Sequence, residues 1–244
     1  MIDLQNISKG FGEQVIHQNL SMQVEQGQRL CLVGGSGVGK SLLMKLILGL
    51  EDLDEGEIYF EGQAISQLDV FEGFELMEKC GVVFQNAALF DSLTIRENVG
   101  LRLDEHGKYQ PAEIDRMGLD VLSKVQLSGE ILDLLPNQLS GGMQKRVAIA
   151  RAIILHPSYL FYDEPTTGLD PENAAYIDDL ILQLAQDPNT NSIIITHDLE
   201  TILRVATQVA MLGNKGLIFH GLTQDFWQSD DPQIQAFLRR RKEA

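Results

Sequence analysis

The segment Leu32-Val-Gly-Gly-Ser-Gly-Val-Gly-Lys-Ser41 constrains this chain more than any other. From Gly34 through Gly35, Ser36, Gly37 and Val38 to Gly39, Lys40 and Ser41 it fits G-x-x-x-x-G-K-[ST]. Glycines let such a backbone curl until several N–H groups point at one cluster of anionic oxygens. Lys40 can reach the β- and γ-phosphates of a nucleotide as a point charge, and the Ser41 hydroxyl can ligate Mg²⁺. Arg29–Val33 reads as a buried strand, and Leu42–Leu48 as a helix whose positive end faces the anion. Strand, loop and helix in that order predict an α/β phosphate-binding core.

The remainder fits around that core. Residues 1–30 alternate short apolar runs, Ile2–Ile7 and Leu20–Val24, with turns at Gly10-Phe-Gly12 and Gln26-Gly27, which predicts antiparallel strands. Glu57–Phe60 and Cys80–Phe84 read as further strands. From about 86 to 157 the pattern turns helical: a capping box at Thr94–Glu97, a helix opened by Pro111, and a third from Ser140 to Leu155 stopped by His156-Pro157. Strands return at Tyr159–Tyr162 and Ser192–Thr196, separated by a helix capped by Asp170, with Pro171 at its first position. Another helix, Leu199–Ala206, and a closing strand pair, Val209–Leu212 with Leu217–His220, follow. The expected architecture is one domain over 1–220 with a helical subdomain at 86–157, and a helical tail at 221–244 that could contact a second subunit.

Two strand ends carry carboxylate and imidazole. Tyr159–Glu164 is an apolar run ending in Asp163, suited to Mg²⁺, and Glu164, suited to polarising an attacking water. Each suits structural work on its own; after a phosphate loop they suit triphosphate hydrolysis. His197 ends Ile193–Thr196, where a parallel sheet presents ligand-binding residues, and is positioned for a γ-phosphate. Ser140-Gly141-Gly142 opens a helix; two glycines in its first turn expose N–H groups and make a second anion site. One chain thus has one phosphate loop and two phosphate-seeking elements, which is consistent if the second serves another chain's nucleotide.

Gly34–Ser41, Gln85, Leu139–Met143, Tyr159–Glu164, Thr167–Asp170 and His197 stand in the order of an ATP-binding cassette (ABC) ATPase, and the chain resembles that family over nearly its whole length. The resemblance implies a RecA-like P-loop NTPase core with an antiparallel β subdomain and an inserted α-helical subdomain. It also implies a head-to-tail dimer that sandwiches two ATP with Mg²⁺. In that arrangement Phe11 stacks on adenine, Gln85 senses Mg²⁺ and the water, and Asp170 organises the dimer seam. Leu42 stands where the family often has Thr, which leaves Ser41 as metal ligand.

The segment Phe84–Val99, with Leu139–Ala152 and Asp231–Leu238, looks like the Mla/Mce-type lipid-transport branch. By that resemblance Phe237 and Leu238 are candidate dimer anchors, while the Arg239-Arg-Arg-Lys242 ending departs from the branch. The expected function is ATP hydrolysis driving phospholipid movement between inner and outer membranes. The expected partners are a second copy, a separate permease docking around Gln85–Asn98, and a lipid-binding periplasmic subunit. An amino-acid or other polar-solute importer ATPase and a non-transport ABC scaffold are the alternatives. A net charge of −16, from 19 basic and 35 acidic residues, argues against nucleic acid as main partner. No run is apolar enough for a transmembrane helix, the N-terminus lacks a signal-peptide pattern, and two cysteines without CxxC spacing suit a reduced compartment. The expected location is therefore the cytoplasmic side of the inner membrane, peripheral through the permease. Cys31 reads as a core residue, and the 239–242 cluster as a solvated tail or a contact to lipid headgroups or a partner.

Overall fold

The computed structural model describes residues 1–239. In chain order they form β1 (Ile2–Phe11), β2 (Gln14–Val24), β3 (Arg29–Gly34), α1 (Lys40–Ile47), β4 (Glu55–Phe60), β5 (Gln63–Ala64), α2 (Val70–Glu78) and β6 (Cys80–Val83). Then come α3 (Ile95–His106), α4 (Pro111–Lys124), α5 (Gly141–Ile153), β7 (Tyr159–Asp163), α6 (Pro171–Leu184), β8 (Asn191–Ile195) and α7 (Leu199–Val205). The described chain closes with β9 (Gln208–Gly213), β10 (Gly216–Leu222), α8 (Thr223–Gln228) and α9 (Pro232–Arg239).

The strands sort into two sheets. An antiparallel sheet has the order β2-β1-β4-β5, and a six-stranded sheet has the order β10-β9-β3-β8-β7-β6, parallel except for β10 at its edge. Strands covered on both faces must be apolar at every position, and alternate residues then belong to opposite layers. That division is visible here. Leu30, Leu32, Tyr159, Phe161, Ile193 and Ile195 pack with α1 and the antiparallel sheet. Cys31, Val33, Leu160, Tyr162 and Ile194 pack on the other side against α5, α6 and α7. Burial pushes the Cys31 thiol pKa up, so it stays un-ionised, as a core residue should.

Local signals placed most elements. Thr94 and Glu97 cap α3 reciprocally, Pro111 begins α4, and Ser140 and Asp170 accept N–H groups at the starts of α5 and α6. The first turn lies later than the sequence suggested: Gly10 and Phe11 remain in β1, paired with Val15 and Gln14, leaving Gly12-Glu13 to turn. Helix α2 has no counterpart in the sequence reading. In the tail, Phe237 is buried in its own chain, 6.3 Å from the Phe226 ring with Ile234 beside it in the same core, while Leu238 is partly buried. The basic cluster, beyond Arg239, lies outside the described residues.

Candidate active site

The strand order brings the sequence-predicted residues together. β3, β8, β7 and β6 are neighbours, and all four run parallel. Their C-terminal ends deliver the loop 34–41, His197, Asp163-Glu164 and Gln85 to one edge, where open parallel sheets hold ligands. These residues line a cavity of about 670 Å³ together with Phe11 from β1, Ile16 from β2, and Leu42 and Ile195. Phe11 is half exposed, with Lys9 Nζ 5.2 Å from its ring centre, so one face is backed by a cation and an aromatic surface remains for a ligand.

The loop is already shaped as an anion cradle. Lys40 Nζ donates to Gly34 O and Gly35 O, both at 3.0 Å, folding the ammonium back across the turn. Burial lowers the Lys40 pKa, against the raising influence of the Glu164 and Asp163 carboxylates. Of the loop residues, Gly34, Ser36, Gly37, Gly39, Lys40 and Ser41 line the cavity, whereas Val38 turns toward the core and Gly35 contributes its carbonyl to Lys40.

Ser41 Oγ donates to Asp163 Oδ1 at 3.3 Å, joining the loop hydroxyl to the strand-end carboxylate. Burial raises the Asp163 pKa and the Ser41 hydrogen bond opposes it. Two hard oxygens this close fit Mg²⁺, which is held by few protein ligands and completes its octahedron with water and substrate phosphates. No cluster of three His, Cys, Asp or Glu side chains that could hold a metal occurs among the described residues.

Glu164 is held from several sides. Its backbone lies in the left-handed region, φ 50°, where a side chain is strained, and its N–H donates to Ile195 O at 2.9 Å. The carboxylate meets His197 Nδ1 at 2.9 Å from Oε1 and accepts from Thr167 Oγ1 at 3.0 Å. From α5, Lys145 Nζ donates to Glu164 O at 3.1 Å and to Thr167 O at 2.9 Å. Lys145 is 7% exposed, and burial lowers its pKa. Further along α5, Arg151 donates to Ala87 O at 2.9 Å and Ala88 O at 2.7 Å, pinning the turn just after Gln85. The sequence reading missed Lys145 and Arg151. A signal existed for Lys145: it follows Gly142 by three residues and precedes Ala148 and Ile149, on the buried stripe of α5.

Ser140, Gly141, Gly142 and Asp170 do not line the cavity. Ser140 Oγ accepts from Met143 N–H at 3.3 Å and Asp170 from Asn173 N–H at 2.9 Å, so in this chain both act as helix caps. A Cβ at Gly142 would sit 2.9 Å from Asn173 Oδ1; the starts of α5 and α6 therefore abut, and glycine permits it. These motifs share one surface apart from the chain's own phosphate loop.

A family model described as ABC transporter matches residues 17–167. The chain belongs to the ABC transporter family. It is an ATPase of that family, with an α/β cassette fold. It is 36% identical, over 98% of this chain and 90% of the relative, to the intermembrane phospholipid transport system ATP-binding protein MlaF of Haemophilus influenzae. It is 33% identical, over 99% of this chain and 69% of the relative, to the probable ribonucleotide transport ATP-binding protein mkl of Mycobacterium leprae. Among solved structures, the dimeric post-hydrolysis state of the ATP-binding cassette MJ0796 bound to ADP and Pi superposes with TM-score 0.83 at 30% identity, covering 91% of this chain and 99% of that one. No helix among the described residues of this ABC ATPase is long and apolar enough to cross a membrane.

Proposed function

We propose that this ABC ATPase hydrolyses ATP in a head-to-tail dimer and drives the movement of phospholipid through a separate permease. The observation that carries the dimer is the separation of Ser140-Gly141-Gly142 from the cavity that Lys40 and Ser41 line. An anion-binding helix start that does not line its own chain's site is available to complete a partner's. The MJ0796 cassette, described as dimeric, supports a dimer.

Within one site the residues divide the work. Phe11 stacks on the base, the N–H groups from Gly34 to Gly39 and the Lys40 ammonium bind the phosphates, and His197 meets the γ-phosphate. Ser41, Asp163 and Gln85 would hold Mg²⁺, which would supply charge neutralisation at the phosphate oxygens when bound. Glu164 accepts the proton of the attacking water. His197 Nδ1 on Oε1 and Thr167 Oγ1 on Oε2 orient the carboxylate for that task and leave a lone pair on each oxygen for the water. Asp170 meets the partner at the seam.

The lipid assignment rests on the likeness to MlaF, a phospholipid transport ATP-binding protein, over nearly the whole chain. The likeness to mkl, a probable ribonucleotide transport protein, keeps a polar solute as the second reading. Val70, Phe71 and Phe74 on α2, with Phe90 beyond Gln85, are exposed apolar side chains that a permease and its surrounding membrane would cover. The ATPase would then sit on the cytoplasmic side of the inner membrane, and a periplasmic lipid-binding subunit would complete the assembly. Purification of the assembled complex in detergent, followed by mass spectrometry of extracted lipid and ATPase assays in phospholipid vesicles, tests this. Bound phospholipid and vesicle-stimulated turnover are expected. Turnover stimulated by a polar-solute-binding protein in a lipid-free complex would overturn the lipid assignment.

A further inference from the structure

Strand β2 places a histidine directly beneath the phosphate loop. His17 is fully buried, and its Nε2 lies 3.0 Å from Gly39 O. A carbonyl can only accept, so Nε2 carries the proton. In a neutral ring Nδ1 is then bare, and Nδ1 is indeed buried with no hydrogen-bond partner among the described residues. Burial lowers the His17 pKa, which keeps the ring in that neutral state.

The carbonyl it holds is a consequential one. Gly39 precedes Lys40, and its oxygen also accepts Leu43 N–H at 2.8 Å, the bond that closes the first turn of α1. Gly39 adopts φ 96°, and a Cβ there would come within 2.6 Å of Ile16 Cγ2 and 2.7 Å of His17 Nε2. The Gly39 backbone therefore lies directly against Ile16 and His17 of β2, an approach that glycine permits. Rotation of that peptide would re-aim both the Lys40 N–H and the Lys40 side chain.

We propose that His17 is a positioning residue for ATP, fixing the Gly39 peptide by donating from Nε2 so that Lys40 and Ser41 meet the phosphates in a set orientation. This rests on the reading of 34–41 as the ATP phosphate loop. It gives the antiparallel sheet two tasks: β1 presents Phe11 to the base, and β2 sets the phosphate cradle.

The test compares His17→Leu, which fills the space without a donor, with His17→Gln, whose amide N–H can reach the same carbonyl. ATP affinity is measured by titration calorimetry, and turnover by phosphate release across ATP concentrations. The loss of one buried donor predicts roughly fivefold weaker ATP binding and a higher KM in His17→Leu, with kcat changed by less than about twofold. His17→Gln is expected to restore affinity to within about twofold. Wild-type affinity in His17→Leu, or equal losses in both variants, would overturn the proposal, since the second result assigns the effect to packing. Lys40→Ala is the control: if it keeps ATP affinity, the phosphate-loop reading itself fails, whereas its loss beside an unaffected His17→Leu refutes only the role of His17. Should the variants not fold, long-range ¹H–¹⁵N spectra of the wild-type chain decide the point. The Nε2–H tautomer is required, and an Nδ1–H tautomer would sink the idea.

Discussion

Replacing Lys145 by Met keeps the length of the side chain and removes both the charge and the donor. Lys145 is buried and spans two backbone carbonyls, those of Glu164 and Thr167. Hydrogen bonds from a charged group contribute about 1.5–3 kcal/mol each. Against that stands the desolvation of the ammonium, a few kcal/mol that Met does not incur. The net loss is about 2 kcal/mol, and at this chain length each kcal/mol shifts Tm by about 2–4 °C, so melting should fall by about 4–8 °C. The greater effect is on turnover. With its carbonyl released, Glu164 is held in its left-handed conformation by the N–H bond to Ile195 O and by its side-chain contacts. A displacement of its carboxylate by about 1 Å costs about a hundredfold in rate. Circular-dichroism melts and steady-state phosphate release measure the two effects, with ATP binding essentially retained. A melting curve and kcat indistinguishable from wild type would refute the claim that α5 holds the Glu164 loop.

Glu164→Gln preserves shape and removes the base; it is expected to bind ATP, accumulate as a dimer on size-exclusion chromatography and lose about 10²–10⁴ in kcat, and continued hydrolysis would dismiss Glu164 from that role. Ser140→Arg places a bulky cation at the start of α5, outside the chain's own cavity, so single-chain ATP affinity should be unchanged while turnover collapses. Wild-type hydrolysis by that variant would count against a shared site. Asp178, buried on α6, accepts from Thr201 Oγ1 at 3.3 Å while its Oδ1 lacks a partner, and burial pushes its pKa up to about 6. Its unfolded value is about 4, so the folded state binds the extra proton between the two, and ionisation costs folding stability in full above pH 6. Asp178→Asn should therefore raise Tm at pH 7–8, the gain shrinking as pH falls through 6 toward 4; a gain independent of pH would contradict the assignment.

The parts of this molecule legible in the sequence are those fixed by near neighbours. Thr94 and Glu97 lie three apart and cap each other; Gly34–Ser41 carries its conformation in its glycines; Asp163 and His197 fall at the ends of runs too apolar to be anything but buried strands. Helix α2 escaped because Val70, Phe71 and Phe74 are exposed, which defeats a search for one buried apolar face, although Asp69 and Glu72 form the same reciprocal cap as α3. The packing of Phe237 on Phe226 was not legible because the two rings come from separate helices, which no spacing rule relates. Lys145 left a trace in the buried stripe of α5, but its role, like those of Arg151 and His17, did not. Each takes its meaning from a carbonyl on an element distant in sequence: Glu164, Ala87 and Gly39 respectively.

Helix α5 begins at the Ser140 cap, touches the Glu164 loop through Lys145 and ends by gripping the turn after Gln85 through Arg151. From Ser140 to Arg151 is about 16 Å of helix axis at 1.5 Å per residue. A helix bends poorly over three turns, so a shift of the Gln85 turn at one end would be carried to Ser140 at the other. In the proposed dimer the permease pushes near one end and the opposing nucleotide is gripped at the other. Force from the membrane and occupancy of the partner's site would then be read on the same rod.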